Sequence, residues 1–149
     1  MAKKSPRRSG RRLAFQVIYG LDASHRTDCG QAFDENPAVL EQGDGEASAF
    51  ARTLACGVWE RLSELDEVIG KLSKRWRLER IAKVELAILR LGVYEILYCR
   101  DIPLKVAINE AVELAKRYGD ENSGTFINGI LDAAAKAVDH GELGIRHGS

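Results

Sequence analysis

Residues Pro103–Leu131 read PLKVAINEAVELAKRYGDENSGTFINGIL, and this stretch decides the fold class. Leu104, Ala107, Ile108, Ala111, Leu114, Ala115 and Tyr118 recur at the spacing of one helix face. Gly119 stands where a left-handed C-cap would end that helix, because a residue without Cβ enters the left-handed region at little cost. Asn122 or Ser123 can cap a second helix whose inward face is Phe126, Ile127, Ile130, Leu131 and Ala134. The stretch is predicted to be two amphipathic helices joined by one tight turn. Asn109, Glu110, Lys116 and Asn128 are polar positions that this pattern does not require. Asn109 and Asn128 are expected to hydrogen-bond a neighbouring loop or helix end, and Gly129 to allow close helix approach. No nucleophile, histidine base or metal ligand beside them makes an active site.

Upstream, Ile102-Pro103 should end the preceding helix, since a residue before proline is driven out of the α region. Between Leu86 and Val93 apolar residues occupy nearly every side of that helix, interrupted by Arg90. Such a helix belongs in the middle of a bundle. Leu65, Val68, Ile69 and Leu72 predict a short helix, and Ala47, Phe50, Ala51, Leu54, Val58 and Leu62 predict a longer one before it, either separate or continuous. The region from Ser24 to Gly45 is read mostly as linker, with one helical turn around Val39. At the start, Ser5-Pro6 offers an N-cap followed by proline at the first helical position. Leu13, Ala14, Val17, Ile18 and Leu21 then form the buried face of helix one. At about 100° per residue, Arg8, Arg12, Phe15, Gln16 and Tyr19 cluster on a different face. Residues 1–5 are expected to be a mobile basic arm and 139–149 a frayed tail.

The chain has 149 residues, 45% hydrophobic and 30% charged, enough for one domain or two small subdomains with a real core. Its prolines are confined to Pro6, Pro37 and Pro103, and no strand-like alternation with hairpin signals appears. An all-α fold follows. The formal net charge of zero hides a polarised chain. Lys3, Lys4, Arg7, Arg8, Arg11 and Arg12 form a basic cluster, followed by Asp22, Asp28, Asp34, Glu35, Glu41, Asp44 and Glu46. That distribution points to one anionic partner bound at one place. Cys29, Cys56 and Cys99 are odd in number and widely spaced, which fits a reducing cytoplasm and gives neither a disulfide framework nor a zinc site. His25, His140 and His147 show no helical metal-binding pair. No cofactor is implied. The run LAFQVIYGL superficially mimics a signal peptide, but Gln16 interrupts it, and no segment approaches the roughly 20 apolar residues of a membrane span.

Arginines near a helix N-terminus oppose the macrodipole, at about 0.3–1 kcal/mol per exposed charge, so Arg7, Arg8, Arg11 and Arg12 call for a compensating use. Guanidinium groups neutralise phosphates while an aromatic ring stacks on an unpaired base, the usual way single-stranded RNA is held. Arg7, Arg8, Arg11, Arg12, Gln16 and Tyr19 are therefore candidate RNA contacts, against the plainer reading of a solvated basic helix start and a partly buried tyrosine. Phe126 reads first as a core anchor, and Glu85 and Arg90 as a surface ion-pair member and a partly buried charge.

The pattern P-x-K-V-A-I-N-E-A-V-E-L-A-K-x-Y-G followed by S-x-x-F-x-N-G-x-L-D resembles the NusB family of bacterial antitermination factors. Two further blocks stand in the matching order: Arg11–Tyr19, RRLAFQVIY, and Val84–Glu95, VELAILRLGVYE. Three ordered blocks are far harder to meet by chance than one short motif. The resemblance implies one domain over residues 1–149, built as two packed three-helix subdomains lying across each other. It implies a non-enzymatic factor that binds boxA RNA of ribosomal RNA leader transcripts together with NusE, a small-subunit ribosomal protein. The pair would act with other Nus factors on the elongating RNA polymerase. By the same resemblance the loop Asp120 to Phe126 adds Phe126 to the RNA surface, while Glu85, Arg90 and Leu104 face the protein partner. The arginine run is interrupted by Ser9 and Gly10, and Arg12 stands where relatives often carry glutamate. Two rivals are the related RNA-binding module of ribosomal RNA cytosine methyltransferases and a homodimeric helical scaffold that binds no RNA. No glycine-rich cofactor loop or catalytic cysteine motif accompanies the helices, which favours the antitermination factor. A homodimer in the free state is left open.

Overall fold

The computed structural model describes residues 5–141. Lys3 and Lys4 of the basic cluster, His147, and nearly all of the expected tail and arm lie outside the described residues. The chain divides into two compact units, Met1–Glu60 and Arg61–Ser149. Among the described residues, the regular secondary structure of each is helical.

In the first unit, α1 (Pro6–Ser24) starts as its sequence dictates. The Ser5 hydroxyl oxygen accepts the Arg8 N–H at 3.3 Å, and Pro6 occupies the first turn. His25 ends it in the left-handed region at φ 59°. Gly10, Leu13, Ala14, Val17, Ile18 and Leu21 are buried and pack α1 along α4 (Glu46–Glu60), which presents Ala47, Ala51, Leu54, Ala55 and Val58. Small residues on both sides let the backbones approach.

The segment read as linker contains two short helices, α2 (Cys29–Glu35) and α3 (Pro37–Gln42). Each is set by an acceptor side chain at its start. Asp28 Oδ1 accepts the Gln31 N–H at 3.0 Å, and Asn36 Oδ1 accepts the Ala38 N–H at 2.9 Å. Phe33 and Val39 are buried beneath them. The three cysteines are free thiols, and the Cys29 and Cys56 sulfurs meet at 2.8 Å between α2 and α4. Burial, then the neighbouring Cys56, pushes the Cys29 thiol pKa up.

The second unit holds α5 (Leu62–Leu72), a 3-10 turn (Leu78–Arg80), α6 (Lys83–Tyr98), α7 (Leu104–Tyr118) and α8 (Ser123–Asp139). The backbone breaks between α4 and α5 at Arg61, so those helices are separate. Every residue of α6 from Leu86 to Leu97 is buried, with α5, α7 and α8 packed on it. A Cβ at Gly92 would stand 2.7 Å from Leu131 Cδ1 of α8, so this glycine sets the α6–α8 approach. Gly129, expected to do so, is exposed with nothing near its missing Cβ. Asn109 and Asn128 are also exposed and dock no neighbouring helix. All six helices expected from apolar periodicity are present. Two lie in the first unit, completed by α2 and α3, and four in the second.

α1 and α4 approach closely at Gly10. A Cβ at Gly10 would lie 2.8 Å from Phe50 Cδ2 and 2.9 Å from the Ala47 carbonyl oxygen. Gly10→Ala should therefore cost about 1–3 kcal/mol in urea unfolding, although alanine is the better helix former. Equal or greater stability would show that the two helices separate freely.

Candidate nucleic-acid interface

Helical geometry sorts the arginines of α1 into two pairs. Residues four apart share a face, so Arg7 and Arg11 point one way and Arg8 and Arg12 another. Phe50 of α4 receives the first pair. The Arg7 and Arg11 guanidinium carbons stand 5.3 and 5.5 Å from its ring centroid. Such contacts reach about 2 kcal/mol or more when desolvated. Arg11 is only 3% exposed, so it is a packing residue of α1 and not the surface contact expected of it. The reason is geometric: at about 100° per residue Arg11 lies only about 20° round the helix from Ile18, on the edge of the buried face. Arg7 remains exposed while engaging Phe50.

The second pair heads an outward stripe. Arg8 is exposed, Arg12 and Gln16 are half-buried, and Tyr19 is 41% exposed. These four residues lie within about 80° of helix circumference. Tyr19 is held from behind by the buried Phe15, ring on ring at 6.0 Å and 28°. Tyr19 is thus partly packed, with the rest of its ring open to solvent. No acidic residue stands in the first turn of α1 to offset the arginines.

In the second unit, the turn before α8 is held by a closed set of hydrogen bonds. Asp120 Oδ1 accepts the N–H groups of Asn122 at 2.8 Å and Ser123 at 3.1 Å, while the Asp120 N–H donates to Ser123 Oγ at 3.0 Å. Asp120 therefore supplies the capping oxygen expected of Asn122 or Ser123. Ser123, buried, donates in turn to Glu85 Oε2 at 2.7 Å. Gly119 is extended, φ −95° and ψ −167°, and not left-handed. A Cβ there would stand 2.5 Å from Ser123 Oγ, so glycine is required by contact and not by backbone angle. Phe126 is half-buried in the first turns of α8.

The residues expected at a protein-partner surface differ in accessibility. Arg90 is 5% exposed, and its Nε and Nη2 donate to Asp66 Oδ1 and Oδ2 at 2.8 and 2.9 Å. The Arg90 guanidinium is a buried group committed to this two-point bond between α6 and α5, and removing it would strand a half-buried carboxylate. Glu85 is half-buried and bonded to Ser123 instead of belonging to a surface ion pair. Leu104 is half-buried at the start of α7. Phe50, Asp66, Asp120 and Ser123 were not foreseen as partners of these residues. The wheel angle of Arg11 was the one signal available in the sequence. The other pairings join residues distant in the chain. Among the described residues no group of histidine, cysteine and carboxylate side chains could hold a metal, and no helix is long and apolar enough to cross a membrane.

Residues 8–136 match the NusB family. The transcription antitermination protein NusB of Oleidesulfovibrio alaskensis is 53% identical over 144 residues, covering 93% of each chain. That of Myxococcus xanthus is 41% identical over 136 residues, covering 89% of this chain and 96% of its own. Among solved structures, NusB of T. maritima superposes with a TM-score of 0.81 at 41% identity, covering 90% of this chain and 93% of that one. A structure of the antitermination factors NusB and NusE in complex with dsRNA matches with a TM-score of 0.80 at 31% identity, covering 91% and 99%. With its all-helical fold and the match running through nearly the whole chain, the protein belongs to the NusB family of non-enzymatic transcription antitermination factors.

Proposed function

We propose that the chain binds single-stranded boxA RNA of ribosomal RNA leader transcripts along Arg8, Arg12, Gln16 and Tyr19, jointly with the ribosomal protein NusE. The pair then acts in the cytoplasm on the elongating RNA polymerase with other Nus factors. The observation that carries this reading is the division of the arginines. Phe50 engages Arg7 and Arg11, whereas Arg8 and Arg12 accompany a partly exposed tyrosine on the outward face. Cations beside an accessible ring suit a strand whose phosphates and base faces are both open. The relative solved with NusE holds dsRNA. An unpaired strand is favoured here because Tyr19 needs a base face that pairing and stacking would cover. Arg7 reinforces the local positive field from its exposed position, Arg11 positions the helix, and Phe126 offers a second ring for stacking. NusE is assigned to Glu85 and Leu104 in the second unit, with Arg90 holding α6 in place beneath them. If RNA and NusE each favour the bound form of the other, the ternary complex is tighter than either binary one.

Replacing Arg8 and Arg12 with alanine should flatten the salt dependence of boxA binding by about 0.7 per lost phosphate contact. Tyr19→Ala should weaken binding by about 1–3 kcal/mol. Fluorescence anisotropy at several salt concentrations reads both effects, and an unchanged slope with unchanged affinity would remove α1 as the RNA site.

The NusE contact is tested by Glu85→Gln, which deletes the charge while retaining an oxygen for Ser123 to bond. Calorimetry should show NusE binding weakened by about 2–5 kcal/mol if the carboxylate is desolvated against a cation of the partner, with RNA binding unchanged. Full retention of NusE affinity would move the interface away from Glu85.

A further inference from the structure

Between α5 and α6 the sequence from residue 74 to residue 80 is KRWRLER. Trp76 is 47% exposed, although its indole is one of the largest apolar side chains in the protein. The Arg75 guanidinium lies 5.9 Å from its ring centroid. Ser73, itself buried, donates its hydroxyl to the Trp76 carbonyl oxygen at 2.7 Å and so ties down the backbone under the ring. Lys74, Arg77 and Arg80 have no ion-pair partner among the described residues, whereas nearby Lys71 is neutralised by Glu67 at 3.1 Å. Glu79 is the one acid between Lys74 and Lys83. Folding of the second unit leaves both the ring and these cations unused.

We propose that this segment is a second RNA contact, which stacks one unpaired base on Trp76 and sets the flanking phosphates against Lys74, Arg75 and Arg77. An acidic protein surface would neutralise the cations but offer nothing to the indole face. A nucleotide supplies phosphate and π-face together. The proposal rests on the RNA-binding reading for the identity of its polymer, but it uses residues of the other unit. It gives the protein a hold on transcript beyond the segment bound by α1.

The test uses the full chain carrying Trp59→Phe, so that the indole emission comes from Trp76 alone. Titration with a 20-nucleotide oligouridylate at low salt should quench that emission to saturation. Trp76→Leu should lower affinity for the same oligonucleotide between about five- and hundred-fold. Arg77→Ala should flatten its salt slope by about 0.7. Adding Arg8→Ala and Tyr19→Ala should weaken boxA binding while leaving the quenching of Trp76 in place. Absence of quenching, in protein whose boxA binding still depends on Arg8 and Tyr19, overturns the second contact and spares the first. Quenching by NusE but not by RNA overturns it too, assigning the segment to a protein partner. Persistent quenching in a protein whose boxA affinity ignores Arg8 and Tyr19 would sink the α1 reading and leave this one standing.

Discussion

At Gly10 the backbone of α1 comes so near α4 that no side chain fits between the helix and the Ala47 carbonyl or the Phe50 ring. That approach fixes the rotation of α1 about its own axis. With Gly10, Ala14 and Val17 turned toward α4, Phe50 is brought within cation–π range of Arg7 and Arg11. Helical periodicity then leaves Arg8 and Arg12 no choice of direction. They share an outward face with Gln16 and Tyr19, and Phe15 supports the tyrosine from below. A basic helix start that opposes its own dipole is thereby made tolerable on one side and usable on the other. On the proposed reading, RNA is held at this face by electrostatics and stacking, with no bond made or broken.

The second unit solves a different problem, that of keeping one helix buried on all sides. α6 carries Arg90 and Glu95 into that interior, at 5% and 2% exposure. Arg90 donates Nε and Nη2 to the two oxygens of Asp66, which ties α5 to α6. Gly92 admits Leu131 of α8, and the Glu85–Ser123 bond locks the start of α8 to the start of α6. Removal of either polar partner would leave a buried or half-buried charge without its match, a larger loss than the net worth of the bond itself. These bonds join α5, α6 and α8 into one frame within the second unit.

How much of this the sequence disclosed depends on the range of the interaction. α1, α6, α7 and α8 announce themselves through several turns of apolar periodicity, and Ser5-Pro6 and Ile102-Pro103 mark their limits. α2 and α3, at 7 and 6 residues, are too short for periodicity to register. Their signal was the capping pair Asp28 and Asn36, which the low hydrophobicity around them obscured. Gly119 was recognised as necessary for the wrong reason, because its neighbour Ser123 folds back on it only once Asp120 has formed the turn. Gly129 and Gly92 could not be told apart, since a glycine matters only where another helix faces it. The Arg11–Phe50 and Arg90–Asp66 contacts depend on which helices pair, and local sequence does not carry that. The family, by contrast, was plain in three short blocks.

The central claim is that the outward arginines of α1 meet RNA while the inward one does not. Side-chain NMR of protein labelled with 15N-arginine, followed at the Nε–Hε resonances during titration with boxA RNA, tests it most directly. The account predicts that the Arg8 and Arg12 signals shift and saturate with the RNA while the Arg11 signal, shielded beside Phe50, keeps its position. Movement of Arg11 with Arg8 and Arg12 unperturbed would contradict it.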